Sequence, residues 1–190
     1  MKRCAWCGED PLYVKYHDEE WGRPFNDDHR MFEFLLLETF QAGLSWITIL
    51  KKRENFRRAF DNFHPEVIAA YDETKVEELL SDAGIIRNQQ KIRAAINNAQ
   101  IVVKMKAEGL GLSKYFWDWV GGKPVVNQPK EMGDIPAKTE LSDEISKDLK
   151  KRGFKFVGST TIYAHLQATG IIDDHVVDCA FKPKDRAVIF

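Results

Sequence analysis

The 190-residue sequence has no run of about eighteen apolar residues, the length a helix needs to cross a bilayer, so membrane spans are excluded. Its first residues, Met1-Lys2-Arg3-Cys4-Ala5-Trp6-Cys7, lead straight into glycine, acids and proline, without the apolar stretch of a secretory leader. A cytoplasmic protein is the expectation. Cysteine is scarce, and Cys4, Cys7 and Cys179 are too few and too unevenly placed for the disulfide framework of a secreted domain. Excess positive charge is also missing. A formal net charge of −1 argues against a uniformly basic nucleic-acid binder. No alternating strand pattern, internal repeat or low-complexity tract occurs.

What is present reads as helix after helix. Asn26 can cap a helix whose apolar positions Met31, Phe34 and Leu35 run into Leu36-Leu37-Glu38 and end near Gly43. Ser45 can cap the next, with Trp46, Ile49, Leu50 and Phe56 on one side. Pro65 suits a first helical turn. Thr74-Lys75-Val76-Glu77 has the capping-box pattern, and Asn88 precedes a long stretch with Ile92, Ala95, Ile96, Ala99, Val102 and Val103 at helical spacing. The segment from Gly121 to Pro136 reads as irregular. A helix follows from about Ser142 to Lys151, and a last one begins around Gly158 to Thr161 and closes at Gly170. The fold class is all-α, with 44% apolar residues to build one domain, residues 1–190, in two helical lobes.

The charges are segregated. Lys147 to Lys155 carries five positive charges and one negative, and Lys51-Lys52-Arg53 with Arg57 and Arg58 makes a second basic cluster. Acids pool at Asp18-Glu19-Glu20 and around Asp72 to Glu78. Such runs are compatible with phosphate docking on one face, though by itself a run of this kind is more often a solvated helix surface. Between Arg152-Gly153 and Ser159, a short loop joins two helices with glycine at both flanks. The free N–H groups at the start of the second helix, with Lys155 beside them, favour an anion such as phosphate; an ordinary helical corner is the alternative.

That loop resembles the helix-hairpin-helix of the DNA glycosylase superfamily. Val157-Gly158 match its last two positions, while Phe154-Lys155-Phe156 depart from its Leu-Pro-Gly. Ala83-Gly84-Ile85-Ile86-Arg87 followed by Lys91 resembles the segment before the hairpin, and Ile172-Asp173-Asp174-His175-Val176 resembles the segment with the catalytic aspartate. The match narrows with Arg3-Cys4-x-Trp6, Tyr13-x-x-Tyr16-His17-Asp18-x-Glu20-Trp21-Gly22 and Glu38-x-x-Gln41-Ala42-Gly43-Leu44-Ser45-Trp46. These blocks, with Lys150 to Gly158 and Asp174-His175-Val176-Val177-x-Cys179, resemble the 3-methyladenine DNA glycosylase I family from residue 3 to residue 179.

The resemblance implies a monofunctional enzyme that flips an alkylated purine, 3-methyladenine foremost and 3-methylguanine weakly, out of double-stranded DNA and hydrolyses its N-glycosidic bond. No lysine matches the superfamily's Schiff-base position, where Ser159 to Thr161 stand. A monomer suits that task. Cys4, His17, His175 and Cys179 form a two-cysteine, two-histidine set that suits a structural zinc joining the two ends of the chain. His175 and Cys179, four apart, would share one helix face. Cys7 is a fifth candidate ligand, outside the family pattern. Trp6, Tyr13, Tyr16, Trp21 and Trp46 taken singly are each more often core than pocket, but aromatic faces stack on a base and attract a cationic one, and the resemblance implies a pocket role for Tyr16 and Trp46 in particular. The family assigns base reading to the residue matching Glu38. It places the Gly43-Leu44 loop against DNA, where Leu44 would fill the gap left by the flipped base. Arg87, Lys155, Gly158 and Ser159 are the backbone-contacting candidates. Asp173 is either catalytic or, with Asp174, an outer partner of His175; the second reading is preferred. Two other classes stay open: a non-catalytic DNA-binding module using the same hairpin, and a zinc hydrolase of a small substrate.

Overall fold

A computed structural model describes residues 1–183. Its chain runs α1 (Pro11–Glu19), α2 (Asp28–Gln41), α3 (Trp46–Ala59), α4 (Pro65–Ile68), α5 (Glu73–Ser81), α6 (Gln89–Ala107), α7 (Leu112–Asp118), α8 (Glu140–Lys151) and α9 (Ser159–Ala168). Three single 3₁₀ turns, at Ala5–Cys7, Asp61–Phe63 and Met132–Asp134, interrupt the connections. The protein is mostly helical, as its patterning predicts. One departure is a parallel pair of two-residue strands, β1 (Val125–Val126) and β2 (Ile172–Asp173), in register Val125 to Ile172. Runs this short carry no alternation signal.

Caps differ from the sequence reading where two cap-forming residues compete. Asp27, not Asn26, receives the Arg30 amide at the start of α2, and Asp72 rather than Thr74 receives that of Lys75 at the start of α5. Asn88 caps α6 through the Lys91 amide as expected. Ser45 stands at the head of α3, but its hydroxyl bonds Thr48 instead of the backbone. Helix α8 begins two residues before Ser142, because Thr139 and Ser142 close a capping box. Helix α7 went unread: it is seven residues long and crowded with Tyr115, Phe116 and Trp117.

Helix α2 runs through the centre. Every residue from Met31 to Phe40 is buried, so its apolar character all round reflects packing on α3, α6, α7 and α9 at once. The main core gathers around Phe32, Phe40, Phe56, Phe60, Phe116 and Trp117. A second, smaller cluster joins Cys4, Tyr16, Trp21, Phe34, Leu50, Val176 and Cys179, so both ends of the described chain meet there. Gly170 permits this closure. It turns at φ +73°, and a Cβ there would lie 2.4 Å from the backbone nitrogen of Pro24.

The two basic runs have different fates. Arg53 and Arg57 both bind the buried carboxylate of Glu33, at 2.8 Å each, and Arg53 also holds Glu20. Lys51 pairs with Asp10, and Lys52 donates to the carbonyls of Ala83 and Gly84. The α3 cluster therefore fastens the protein internally rather than offering a phosphate surface. In the α8 run, Arg152 pairs with Asp148, while Lys155 is exposed.

Candidate functional site: an aromatic cavity beside a cysteine–histidine cluster

A cavity of about 290 Å³ opens where α1, α2, α3 and α9 converge. That volume is near the lower end of small-molecule sites. Its walls include all five aromatics singled out in the sequence, Trp6, Tyr13, Tyr16, Trp21 and Trp46, together with Glu38. Trp6 is the hub: its ring centroid lies 5.0 Å from Tyr13 and 4.9 Å from Trp21, while Tyr16 and Trp46 meet at 5.5 Å. Tyr13 and Tyr16 face the cavity from one side of α1, three residues apart. Trp46 enters from the first turn of α3.

Glu38 is 3% exposed, and no described side chain donates a hydrogen bond to it. Desolvation alone raises its carboxyl pKa to about 8. A carboxyl group left without a partner inside an apolar wall is costly unless something brings a donor or a positive charge to it. Burial also holds the Tyr16 hydroxyl well above its ordinary pKa, with Glu38 adding to the effect, so Tyr16 is a neutral phenol. Both Trp6 and Trp46 present buried indole N–H groups with no acceptor among the described residues. Stacking faces, free donors and one uncompensated acid thus surround a single volume.

Sequence reasoning missed the opposite wall. Thr160, Tyr163, Ala164 and Gln167 line the cavity from α9 at i, i+3, i+4 and i+7, one helical face, and Gln41, Met132 and Ile135 complete the rim. The spacing was available, but periodicity does not separate a core face from a pocket face. Asp173 is not part of this wall. Its Oδ1 accepts from His175 Nδ1 at 2.6 Å and from the His175 amide at 3.2 Å, and Lys182 approaches its Oδ2 at 3.3 Å. Asp174, next along an extended strand, points the other way; there it accepts from Tyr163, Gln167 and Asn127.

Directly behind Trp6 and Trp21 lies the cysteine–histidine cluster. One ligand atom each from Cys4, His17 and Cys179 fall within 4.8 Å of one another, and all three residues are buried. The His17 ring meets Asp18 through Nδ1 at 2.8 Å, while its Nε2 accepts from the Cys4 amide at 3.4 Å and lies 3.6 Å from Cys179 Sγ. His175 is outside that mutual set but adjacent, its ring 5.2 Å from that of His17. Its Nδ1 is committed to Asp173, and its buried Nε2 has no hydrogen-bond partner among the described residues. Two thiols and two imidazoles, each ring oriented by a carboxylate, are the donors a tetrahedral metal ion takes. Cys7 is buried too, but its thiol donates to the Cys4 carbonyl at 3.2 Å. One premise is corrected: His175 to Cys179 is not helical. A turn closed by the Cys179 amide on the Val176 carbonyl at 2.9 Å stands there instead. Gly22 permits the approach of His175, since a Cβ there would lie 2.7 Å from the ring.

The remaining sequence candidates sit away from the cavity floor. Gly43, at φ +81°, and Leu44, 37% exposed, form the turn between α2 and α3, closed by a bond from Gln41 Nε2 to the Leu44 carbonyl at 2.8 Å. Buried Lys91 holds the same turn from below, donating to the carbonyls of Phe40 and Ala42. Arg87 is exposed just ahead of α6. The α8–α9 connection is pinned to α6: Asn98 exchanges two hydrogen bonds with the Lys155 backbone, at 2.8 and 3.0 Å, and Asn97 donates to the Gly153 carbonyl at 2.9 Å. Phe156 adopts φ +56° in that loop. Ser159 bonds the Ser142 hydroxyl at 2.8 Å, and Gly158 caps α9 without a side chain to cover its first amides.

Helices packed round a central buried α2 thus frame an aromatic-walled cavity that holds one uncompensated acid, the arrangement of a small-molecule binding site. Comparison with known proteins agrees. The family model described as methyladenine glycosylase matches residues 6–183, and the chain belongs to that family. It is 49% identical over 186 residues to DNA-3-methyladenine glycosylase 1 of Escherichia coli K12, covering 98% of this chain and all of that one. A crystal structure of 3-methyladenine DNA glycosylase I superposes with a TM-score of 0.94 at 48% identity, over 96% of this chain and all of the other. The 3-methyladenine DNA glycosylase I of Staphylococcus aureus, whose structure concerns 3-methyladenine recognition, superposes at 0.93 with 40% identity, over 97% and 98% of the two chains. Among the described residues, no helix is long and apolar enough to cross a membrane.

Proposed function

We propose that this protein removes alkylated purines, 3-methyladenine foremost, from double-stranded DNA by hydrolysing the N-glycosidic bond. The observation that carries this reading is Glu38: a buried carboxyl, unpaired among the described residues, facing an aromatic cavity of ring-sized volume. Alkylation at N3 puts positive charge on adenine, and a cation is what such a site lacks. Bringing it beside Glu38 compensates the acid, favours its ionised form and sandwiches the ring between aromatic faces. A neutral, unmodified base offers no such compensation. A cationic purine is already a good leaving group, so the chain needs no strong general acid. Its work is extrusion, fit and electrostatic support of the positive sugar. Asp173, turned to His175 and away from the cavity, acts in this scheme as an outer partner of that histidine.

The DNA is held from outside the cavity. Leu44, on its glycine turn, fills the space of the flipped nucleotide. The helix-hairpin-helix of α8 and α9 offers Lys155, the Gly158 and Ser159 amides and the positive end of α9 to backbone phosphate, with Arg87 beside it. Cys4, His17, His175 and Cys179 hold a zinc ion that supplies structural closure between the two ends of the chain and no chemistry at the base. The chain works as one unit and as a monomer.

Chromatography of the bases freed from methylated DNA tests the activity: 3-methyladenine appears with wild-type protein, and Glu38→Gln lowers its release about a hundredfold or more while leaving DNA binding intact. No release by wild-type protein refutes the enzyme. Metal analysis with cobalt substitution tests the zinc: four protein ligands and no exchangeable water are expected.

A further inference from the structure

On the α9 wall of the cavity, Tyr163 and Gln167 stand one turn apart, and their polar groups are committed to one buried carboxylate. Asp174 is 1% exposed. Its Oδ2 accepts from the Tyr163 hydroxyl at 2.5 Å and from Gln167 Nε2 at 2.7 Å, and its Oδ1 accepts from Asn127 Nδ2 at 2.7 Å. Asn127 is itself fixed, its amide on the Asp173 carbonyl at 3.0 Å, so the carboxylate is braced from β1 as well as from α9.

These bonds decide what the wall can offer a ligand. A side-chain amide has a donor end and an acceptor end, and which end points where follows from its partners. With Nε2 on a carboxylate, the reverse orientation would set Gln167 Oε1 against a like-charged oxygen. Among the described residues, Oε1 therefore remains as the unengaged end of this cavity-lining side chain. Tyr163 has likewise given its one proton to Asp174, and its oxygen keeps only lone pairs. The polar side chains locked by Asp174 thus leave acceptors on the α9 wall, while the free donors of the cavity, the Trp6 and Trp46 indole N–H groups, belong to its other side.

We infer that Gln167 is a specificity-determining residue of this cavity, and that Asp174 is the positioning residue that keeps its carbonyl turned toward the base. The inference rests on the reading of the cavity as a purine site. The ligand class it selects is a purine that brings donors to its 6-position edge. Adenine carries an amino group there and satisfies an acceptor. Guanine carries a carbonyl oxygen, and acceptor against acceptor leaves both unpaired in a site where water is largely excluded. Shape alone separates the two methylated purines poorly, whereas a buried polar group left unmatched discriminates strongly.

The test compares 3-methyladenine with 3-methylguanine, both as free bases titrated into the protein by tryptophan fluorescence and as products released from methylated DNA. In Gln167→Met, of similar length but with no acceptor, binding and release of 3-methyladenine fall about tenfold while those of 3-methylguanine hold, so the ratio between them drops about tenfold. Asp174→Asn lowers the ratio in the same direction, and adding Gln167→Met to it lowers the ratio little further, because both act through one amide. An unchanged ratio in Gln167→Met, with both bases weakened equally or not at all, overturns the inference. If Asp174→Asn fails to fold, the ratio in Gln167→Met alone decides it. Absence of base release by wild-type protein would remove the enzymatic reading; the free-base ratio would still judge Gln167.

Discussion

Glu38→Gln removes an ionisable proton and almost nothing of the side chain's shape, and it should make the ligand-free protein more stable. The wild-type carboxyl is buried without a described donor, and its pKa rises from 4.5 to about 8. Below pH 4 it is protonated in the folded and the unfolded chain alike, and wild type and variant differ little. Between about 4.5 and 8 the unfolded chain releases a proton that the folded chain keeps, so wild-type stability falls relative to the variant as pH rises. Above about 8 the gap levels off. At about 1.4 kcal/mol for each pH unit, the limit is about 5 kcal/mol. The cavity mouth admits solvent, which brings the expectation to about 2–3 kcal/mol. For a chain of this size that corresponds to about 5–10 °C in Tm. Parallel thermal melts of the two proteins at pH 4, 6 and 9 read it directly, since groups common to both cancel. Pairing with a cationic ligand reverses the sign for wild type alone: its Tm rises on adding the ligand, and that of Glu38→Gln does so less. A gap that is flat in pH, or a variant less stable than wild type at pH 9, would refute the account of Glu38 as an uncompensated acid.

Three further perturbations follow from buried geometry. Gly170→Ala forces a Cβ to 2.4 Å from backbone at Pro24 and strains a φ of +73°, so urea unfolding should show a loss of about 3 kcal/mol or more. His165 is fully buried with neither ring nitrogen partnered, and its pKa is driven down to about 3 by desolvation. The folded chain refuses a proton that the unfolded chain takes near pH 6.5, so His165→Leu should raise Tm, increasingly as pH falls from 6.5 toward 3. Asn98→Ala removes both bonds that hold the Lys155 backbone. It should cost about 1–3 kcal/mol and weaken DNA binding, with free-base binding unchanged in fluorescence titrations.

The helical class and most helix positions were legible because α2, α6 and α9 carry strong local signals: a cap, an apolar period, a terminating glycine. What local signals missed was decided at long range. Asn26 and Asp27 are both good caps, and only the packed geometry selects Asp27. Arg53 and Arg57 read as a free basic surface because their partner Glu33 is twenty and more residues away. His175 and Cys179 read as sharing a helix face because they are four apart, but a turn closed by the Cys179 amide on the Val176 carbonyl stands there instead, and four-residue spacing alone does not separate the two. The aromatic half of the cavity was legible through family resemblance, and its α9 half was not. Thr160, Tyr163, Ala164 and Gln167 have the same period whether a helix face meets core or cavity.

Residues 13–21 explain why cluster and cavity must be understood together. Tyr13 and Tyr16 face the cavity, while His17, one position on and so about 100° round the helix, faces Cys4 and Cys179. Trp21 closes the loop: it lines the cavity and meets the His175 ring at 4.5 Å. Trp6 does the same from the N-terminal side, two residues after Cys4, touching Tyr13 at 5.0 Å and His17 at 5.2 Å. The aromatic wall therefore has no scaffold of its own beneath Trp6 and Trp21; the cysteine–histidine cluster is that scaffold. A base site built on flat faces depends on their spacing, and here that spacing is set by groups that never meet the base. Loosening the cluster should then widen the cavity before it unfolds the larger core, which is gathered mainly around other residues of α2 to α9 and meets the smaller cluster through Phe25 and Trp46.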